Sequence, residues 1–395
     1  MILGLSMFAW AQSPEFTPVA QVRPRVEAHT GRDGIAQDGN DIFVSQRTRL
    51  GVIGKLGDVS AKLLLQDVRV WGEETHTLFD STANRFDLHE GYLEVALAEN
   101  AGVRVGRQEI ALQEHRLIGT VGWTQQARSF DAVRAFAGKT GVNGELAFAI
   151  LGDPTEAVPP APVAAGPRPY QQLGIARVGW AAEKKSTLVD AVYILQNSNS
   201  DDGNDGNDGT VHTTGIYAKG AKGILSGRVE GYAQLGGMGG NTRAAWMTGV
   251  SGTLAPNLNA KPKITLWYDH LSGDGDLTDG TDSAFDTLFD TRHKFYGLMD
   301  VMNFGVGGRA DGRGLQDAAL KLAMQPVEGL TTKLDSHLFL PSAAQGGDGV
   351  IGEELDLTVA YKWKDGLKVQ GGASSLFRPN LDADFWGYLQ VDATL

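Results

Sequence analysis

The stretch Gln21-Val-Arg-Pro-Arg-Val-Glu-Ala-His29 decides the fold. Arg23, Arg25, Glu27 and His29 fall on one parity, and Val22, Val26 and Ala28 on the other. A period of two gives two unlike faces only in an extended strand. The pattern returns at Val44-Ser-Gln-Arg-Thr-Arg-Leu-Gly-Val52, where Arg47 and Arg49 oppose Val44, Thr48, Leu50 and Val52. Near the other end, Leu355, Leu357, Val359, Tyr361 and Trp363 oppose Glu354, Asp356, Thr358 and Lys362. Leu330, Leu334 and Leu338 likewise oppose Lys333, Asp335 and His337. Helical periodicity is nearly absent, so the chain reads as all-β.

A soluble sandwich also alternates, so the connections must separate it from a transmembrane barrel, which pairs short periplasmic turns with long external loops. Short turns are expected near Gly57-Asp58, Glu99 to Gly102, Gly138 to Gly141, Ala182 to Ser186, Gly220 to Gly223, Pro326 to Gly329 and Lys364 to Gly366. Long loops are expected near 30–41, 72–86, 112–127, 152–170, 197–210, 272–313 and 341–352. Counting segments predicts about 18 strands, an even number that returns both termini to the periplasm. The expectation is an antiparallel β-barrel in the outer membrane of a Gram-negative cell. Trp180 and Trp363 beside short turns, and Tyr193 and Trp246 near long loops, would form its interfacial girdles. Leu389, Val391, Ala393 and Leu395 suit a closing strand.

The remaining composition bounds the function. The chain has 395 residues without an interdomain linker, no cysteine and a formal net charge of -12. Disulfide staples and thiolate chemistry are excluded, and general nucleic-acid affinity is disfavoured. No run reaches the ~18 to 20 apolar residues of a transmembrane helix. Residues 1–11, ending Ala9-Trp10-Ala11, read as a signal peptide whose basic leading region is missing, and 12–395 as a single barrel domain. Zincin, nucleophile-elbow and P-loop motifs are absent, so no enzyme and no cofactor is expected; a barrel lipase would need a Ser and a His adjacent on the lipid face.

Charge on a lipid-facing strand costs about 2 to 4 kcal/mol at mid-depth, so the charged parity should line the lumen. Candidate wall cations include Arg23, Arg25, Arg47, Arg49, Lys62, Arg69, Arg104, Arg134, Arg177, Arg228, Lys321 and Lys333. Glu27, Asp67, Glu90, Glu94, Asp190, Glu230, Asp317, Asp335 and Asp356 are candidate wall anions. Interleaved signs suggest ion-pair ladders, except in the first three strands, where arginine is in excess and would draw carboxylate or phosphate solutes. Asp201, Asp202, Asp205 and Asp208, set among Asn and Gly, offer hard oxygen ligands as a calcium candidate, against a hydrated loop. In the long loop 272–313, Phe285, Leu288, Phe289, Phe295 and Tyr296 are placed to fold inward as a plug or constriction.

Two stretches carry a resemblance. One is Val103-Arg-Val-Gly-Arg-Gln-Glu-Ile-Ala-Leu-Gln-Glu-His-Arg-Leu-Ile-Gly119, continuing to Trp123 and Arg128-Ser-Phe-Asp-Ala-Val-Arg134. The other is Phe285-Asp-Thr-Leu-Phe-Asp-Thr-Arg-His-Lys-Phe-Tyr-Gly-Leu-Met-Asp300. Together with Leu65-Gln-Asp-Val-Arg-Val-Trp71, they resemble the alginate-export family of outer-membrane porins. The resemblance implies a monomeric barrel, set in outer-membrane lipid, with an electropositive constriction that passes an anionic polysaccharide supplied by a periplasmic export complex. It also implies Arg69, Arg107, Glu109, Arg128, Asp131 and Arg134 as pore residues, with Asp67 as a partner. Alternation sets Arg107 and Glu109 on the face of Val103 and Val105, so a bulge near Gly106 would have to turn them inward. Asp131 and Arg134 have opposite parity, which puts one of them outside the lumen. Rival readings are an uptake porin for small organic acids and a plugged structural or adhesive barrel.

Overall fold

A computed structural model describes residues 13–30, 40–72, 86–151, 172–182, 186–198, 208–300, 312–343 and 349–395. The expected signal peptide and Asp201, Asp202 and Asp205 lie outside the described residues.

Strands β1 (Glu15–Thr30), β2 (Asn40–Leu56), β3 (Val59–Val70), β4 (Phe86–Ala98), β5 (Ala101–Gln108) and β6 (Phe130–Ala137) open the chain. β7 (Gly141–Ile150), β8 (Gln172–Ala181), β9 (Thr187–Ser198), β10 (Gly209–Lys222), β11 (Leu225–Met238) and β12 (Asn241–Leu254) continue it. It ends with β13 (Lys263–Leu271), β14 (Thr281–Asp282), β15 (Leu315–Met324), β16 (Leu330–Leu340), β17 (Gly352–Lys364), β18 (Leu367–Phe377) and β19 (Asp384–Thr394). Of these 19 strands, the two-residue β14 lies parallel beside β12, leaving eighteen in the wall. Each wall strand pairs antiparallel with its sequence neighbours, and β1 pairs with β19 to close the ring. Closure leaves no unpaired edge, the condition for strands to cross hydrocarbon.

Parity assigns the faces. Ile216, 58% exposed at the middle of β10, and Val250, 51% exposed in β12, look outward, while Tyr217 and Met247 beside them look inward and are buried. Trp180, Trp363, Tyr193 and Trp246 all stand exposed on the outer surface, as girdles require. His212 also faces outward and bonds the hydroxyl of Tyr193 at 2.7 Å, whereas His337 faces in toward Asp317 at 2.8 Å. The expected turn at Gly220 to Gly223 is displaced to Gly223-Ile224 because β10 runs on to Lys222. At the opposite, long-loop end, β11 and β12 are joined by only Gly239-Gly240.

The lumen is not empty. The connections 109–129 and 272–300 both fold inward and meet along a parallel bridge between Ile118 and Phe289. Backbone bonds run from Phe289 N–H to Leu117 O at 2.8 Å, Gly119 N–H to Phe289 O at 2.7 Å and Thr291 N–H to His115 O at 3.0 Å. Ile110, Leu112, Leu117 and Ile118 of one loop pack with Phe285, Leu288, Phe295 and Tyr296 of the other, against inward residues Ile175, Ile194 and Met247 of the wall. Burial of this apolar set fixes the loops as an ordered constriction. The inward folding expected of the 272–313 loop is thus present through residue 300; 301–311 lie outside the described residues.

Candidate functional site: a two-loop constriction

The loops are held to the wall by buried charge. Arg116 is 1% exposed and reaches Glu230 at 2.6 Å and Asp269 at 2.9 Å. Arg228 from β11 meets the same two carboxylates, with its contact to Asp269 at 2.8 Å. Two cations and two anions cancel, and the guanidiniums lie 3.9 Å over Phe295 (Arg116) and 3.6 Å over Trp267 (Arg228). Gly249 is required here, since a Cβ would meet Asp269 Oδ1 at 2.6 Å and Glu230 Oε1 at 2.8 Å. The two carboxylates hold Arg116 protonated, well above the ordinary arginine value, although burial alone would lower it.

A second anchor lies on β17, three wall strands beyond β13. Met299 N–H donates to Glu354 at 2.8 Å and Leu298 N–H to Asp356 at 3.3 Å. Gly297, at φ +82°, lets the chain approach, because a Cβ there would lie 2.5 Å from the Glu354 carboxylate. Trp123 joins the two loops, stacked on His293 at 4.2 Å and edge-on to Tyr388 at 4.8 Å.

The arginines of β1 and β2 face the lumen beneath residues 122–126. Arg23 donates to Gly122 O at 2.7 Å, Thr124 O at 2.8 Å and Gln125 Oε1 at 3.1 Å. Arg25 bonds Glu27 and Trp123 O, each at 2.8 Å, and lies 4.2 Å over the Trp123 ring. Arg47 reaches Gln21 at 3.0 Å and Thr124 O at 3.4 Å. Arg49 donates to Gln66 at 2.8 Å and approaches His89 at 2.8 Å, with Glu109 at 3.9 Å. Arg128 points its guanidinium at carbonyls of Gly119, Phe289 and Asp290; burial lowers it to about 10. Arg23, Arg47 and Arg128 thus hydrogen-bond neutral groups, while Asp392 acts on Arg23 and Arg47, and Asp290 on Arg128, through charge alone.

The remaining candidates are placed differently. Glu90 takes Lys62, Arg104 takes Glu94 at 2.5 Å and Arg134 takes Glu145 at 2.5 Å, forming lumen-side ladders between neighbouring strands. Asp67 and Arg69, expected on the inner wall, alternate with the buried Gln66 and so take the outward parity, where they pair at 2.7 Å. Their register opposite Thr48 and Gln46, away from Arg47, fixes that parity. Asp131 is outward and exposed, bonded to Arg107 at 3.1 Å, whereas Arg134 is inward. The ladder irregularity falls not at Gly106 but on β4, where His89 is skipped between Leu88 and Glu90. Glu109 lies just past the end of β5 and turns inward onto His89 at 2.7 Å. Asp208 is described, but no group of three or more metal-ligating side chains occurs among the described residues. Arg116, Asp269, Glu114 and Lys294 were not singled out from sequence; their partners are 41 to 180 residues away along the chain, beyond any local signal.

The arrangement narrows a polar lumen and sets arginine and carboxylate side chains around the narrowing. The family described as alginate export matches residues 19–379. No curated protein matches the chain in sequence. Among solved structures, it is similar to the outer membrane protein opdK from Pseudomonas aeruginosa, with TM-score 0.63, 12% identity and coverage of 96% of this chain and 99% of that one. OccK8 (OprE) of Pseudomonas aeruginosa superposes with TM-score 0.69 at 12% identity, covering 96% and 98% of the two chains. A BenF-like porin from Pseudomonas fluorescens Pf-5 gives TM-score 0.68 at 11% identity, with 96% and 98% covered. At such identities the likeness is one of fold.

Proposed function

From the premise that the chain belongs to the alginate-export family and is an outer-membrane β-barrel channel, we propose that it passes carboxylate-bearing solutes, with an anionic polysaccharide as the principal candidate. The carrying observation is the set of guanidiniums, Arg23, Arg47 and Arg128, bonded to carbonyls and amides instead of carboxylates. Placed beside a narrow lumen with low-dielectric walls, their field favours anions over cations without a tight site. The ladders Lys62–Glu90, Arg104–Glu94 and Arg134–Glu145 are locally neutral and add little to that field.

The test is permeation into proteoliposomes of galacturonate against galactose, solutes alike in size and unlike in charge. Faster entry of galacturonate supports the reading, and equal or slower entry overturns it. A second reading, uptake of small organic acids, is favoured by the extent to which the two loops fill the lumen. An oligouronate that slows galacturonate entry supports passage of the polymer; an oligouronate without effect favours the small-acid channel.

A further inference from the structure

We infer that Lys219 and Lys294 form a carboxylate-binding seat on the periplasmic side of the constriction, held in this structure by the protein's own Glu114; the inference rests on the anion-channel reading. The Glu114 carboxylate accepts from Lys219 Nζ, while Lys294 Nζ donates to Glu114 O at 2.9 Å and stands 3.9 Å from Oε2. Lys219 comes from the short-turn end of β10, and Lys294 from the inward loop 272–300.

Three features separate this cluster from the structural ion pairs around it. First, it is open to water: the Lys219, Lys294 and Glu114 side chains are 35%, 45% and 42% exposed, against 0% for Glu230 and Asp269. Second, the carboxylate is delivered by a strained backbone. Gln113, Glu114 and His115 have φ of 46°, 60° and 73°, three successive non-glycine residues in the left-handed region.

Third, a cavity of about 260 Å³ adjoins it, lined by Glu114, Tyr217, Lys219, Arg228 and Trp267 among others. Arg228 Nε and Trp267 Nε1 are buried there without a hydrogen-bond partner, and the Tyr217 hydroxyl stands against the Glu114 carboxylate. Buried donors are nearly always satisfied, and two orphaned donors beside two ammonium groups suit an oxygen-rich anion. The two lysines hold the Glu114 carboxyl below the usual carboxylate range despite burial, so it sits there as an anion, the species a uronate or small carboxylic acid would bring.

Passage then proceeds by exchange. A solute carboxylate takes the hydrogen bonds of Lys219 and Lys294, Glu114 swings aside, and its return displaces the solute. No proton moves. A tethered competitor keeps occupancy brief, which conduction requires.

The experiment is single-channel recording of current block by galacturonate with the refolded full chain, for the parent protein, E114Q, K219Q and the double variant. Glu114→Gln keeps size and shape while removing the competing charge. The expected result is a dwell time about threefold to fivefold longer in E114Q, the worth of a partly exposed ion pair. K219Q shortens the dwell and cancels the gain in the double variant. An unchanged or shorter E114Q dwell, with the parent still blocked, overturns the seat and leaves the anion channel standing. A parent protein that galacturonate neither blocks nor permeates overturns both.

Discussion

Replacing Arg116 by methionine should detach the constriction and leave the barrel intact. Arg116 is one of two cations facing Glu230 and Asp269, and it also donates to Tyr296 Oη at 3.1 Å, so its removal leaves two buried carboxylates facing Arg228 alone. Breaking a buried pair by removing one partner costs about 3 to 5 kcal/mol. The wall does not share that loss, because its eighteen strands are joined by backbone ladders in which the Arg116 side chain takes no part. The cost therefore falls on docking of 109–129 and shifts the docked-to-undocked ratio by about two to three and a half orders of magnitude. The apolar packing of Ile110, Leu112, Leu117 and Ile118 opposes release, so the expected outcome is frequent excursions to a larger conductance instead of a permanently open pore. Single-channel recording reads the effect, with heat-modifiable migration on gels as the check that the barrel has folded. A folded Arg116→Met barrel with parental conductance and parental noise would refute the reasoning.

Asp290 supplies a pH dependence. Burial, against the opposing pull of Arg292, Arg128 and Arg116, raises its carboxyl to about 7, from an ordinary value of about 3.9. Between those values the group is protonated in the docked loop and ionised in an undocked one, so docking weakens as pH rises toward about 7 and changes no further above it. Current noise should rise over that window, and Asp290→Asn should flatten the dependence; a pH response that survives in the variant contradicts the assignment. Ile216→Arg, on the outward face at mid-strand, should destabilise the barrel by about 2 to 4 kcal/mol in denaturant unfolding from lipid vesicles, whereas no loss would mean the face is misassigned.

The wall was legible because a barrel strand repeats one rule, inward and outward by turns, and Arg23, Arg25, Arg47 and Arg49 sit in runs where the opposite parity is largely apolar and carries no charge. Asp67 and Arg69 were misplaced where that contrast fails, since Gln66 and Asp67 are adjacent polar residues and either parity reads as the lumen. The inward turn of Glu109 was anticipated, but the irregularity lies across the ladder on β4 at His89, a place that the neighbouring sequence does not mark. What the lumen holds was legible only in part. The apolar residues Phe285, Leu288, Phe289, Phe295 and Tyr296 announced an inward loop, yet Arg116 has ion-pair partners in β11 and β13, and Glu114 has partners in β10 and in the 272–300 loop. Such contacts belong to the folded loops and leave no periodicity behind. Capping of Arg23 and Arg47 by carbonyls of 122–125 is of the same kind, and it leaves residues expected to meet solute directly buried beneath that segment.

The central claim, an anion-favouring constriction charged by those guanidiniums, is tested most directly by the reversal potential of the refolded channel under a salt gradient, for the parent and for an Arg47→Ala, Arg49→Ala double variant. The account predicts an anion-selective potential in the parent that moves toward zero in the variant. A parent potential of cation-selective sign, or an anion selectivity untouched by removing both guanidiniums, would contradict it.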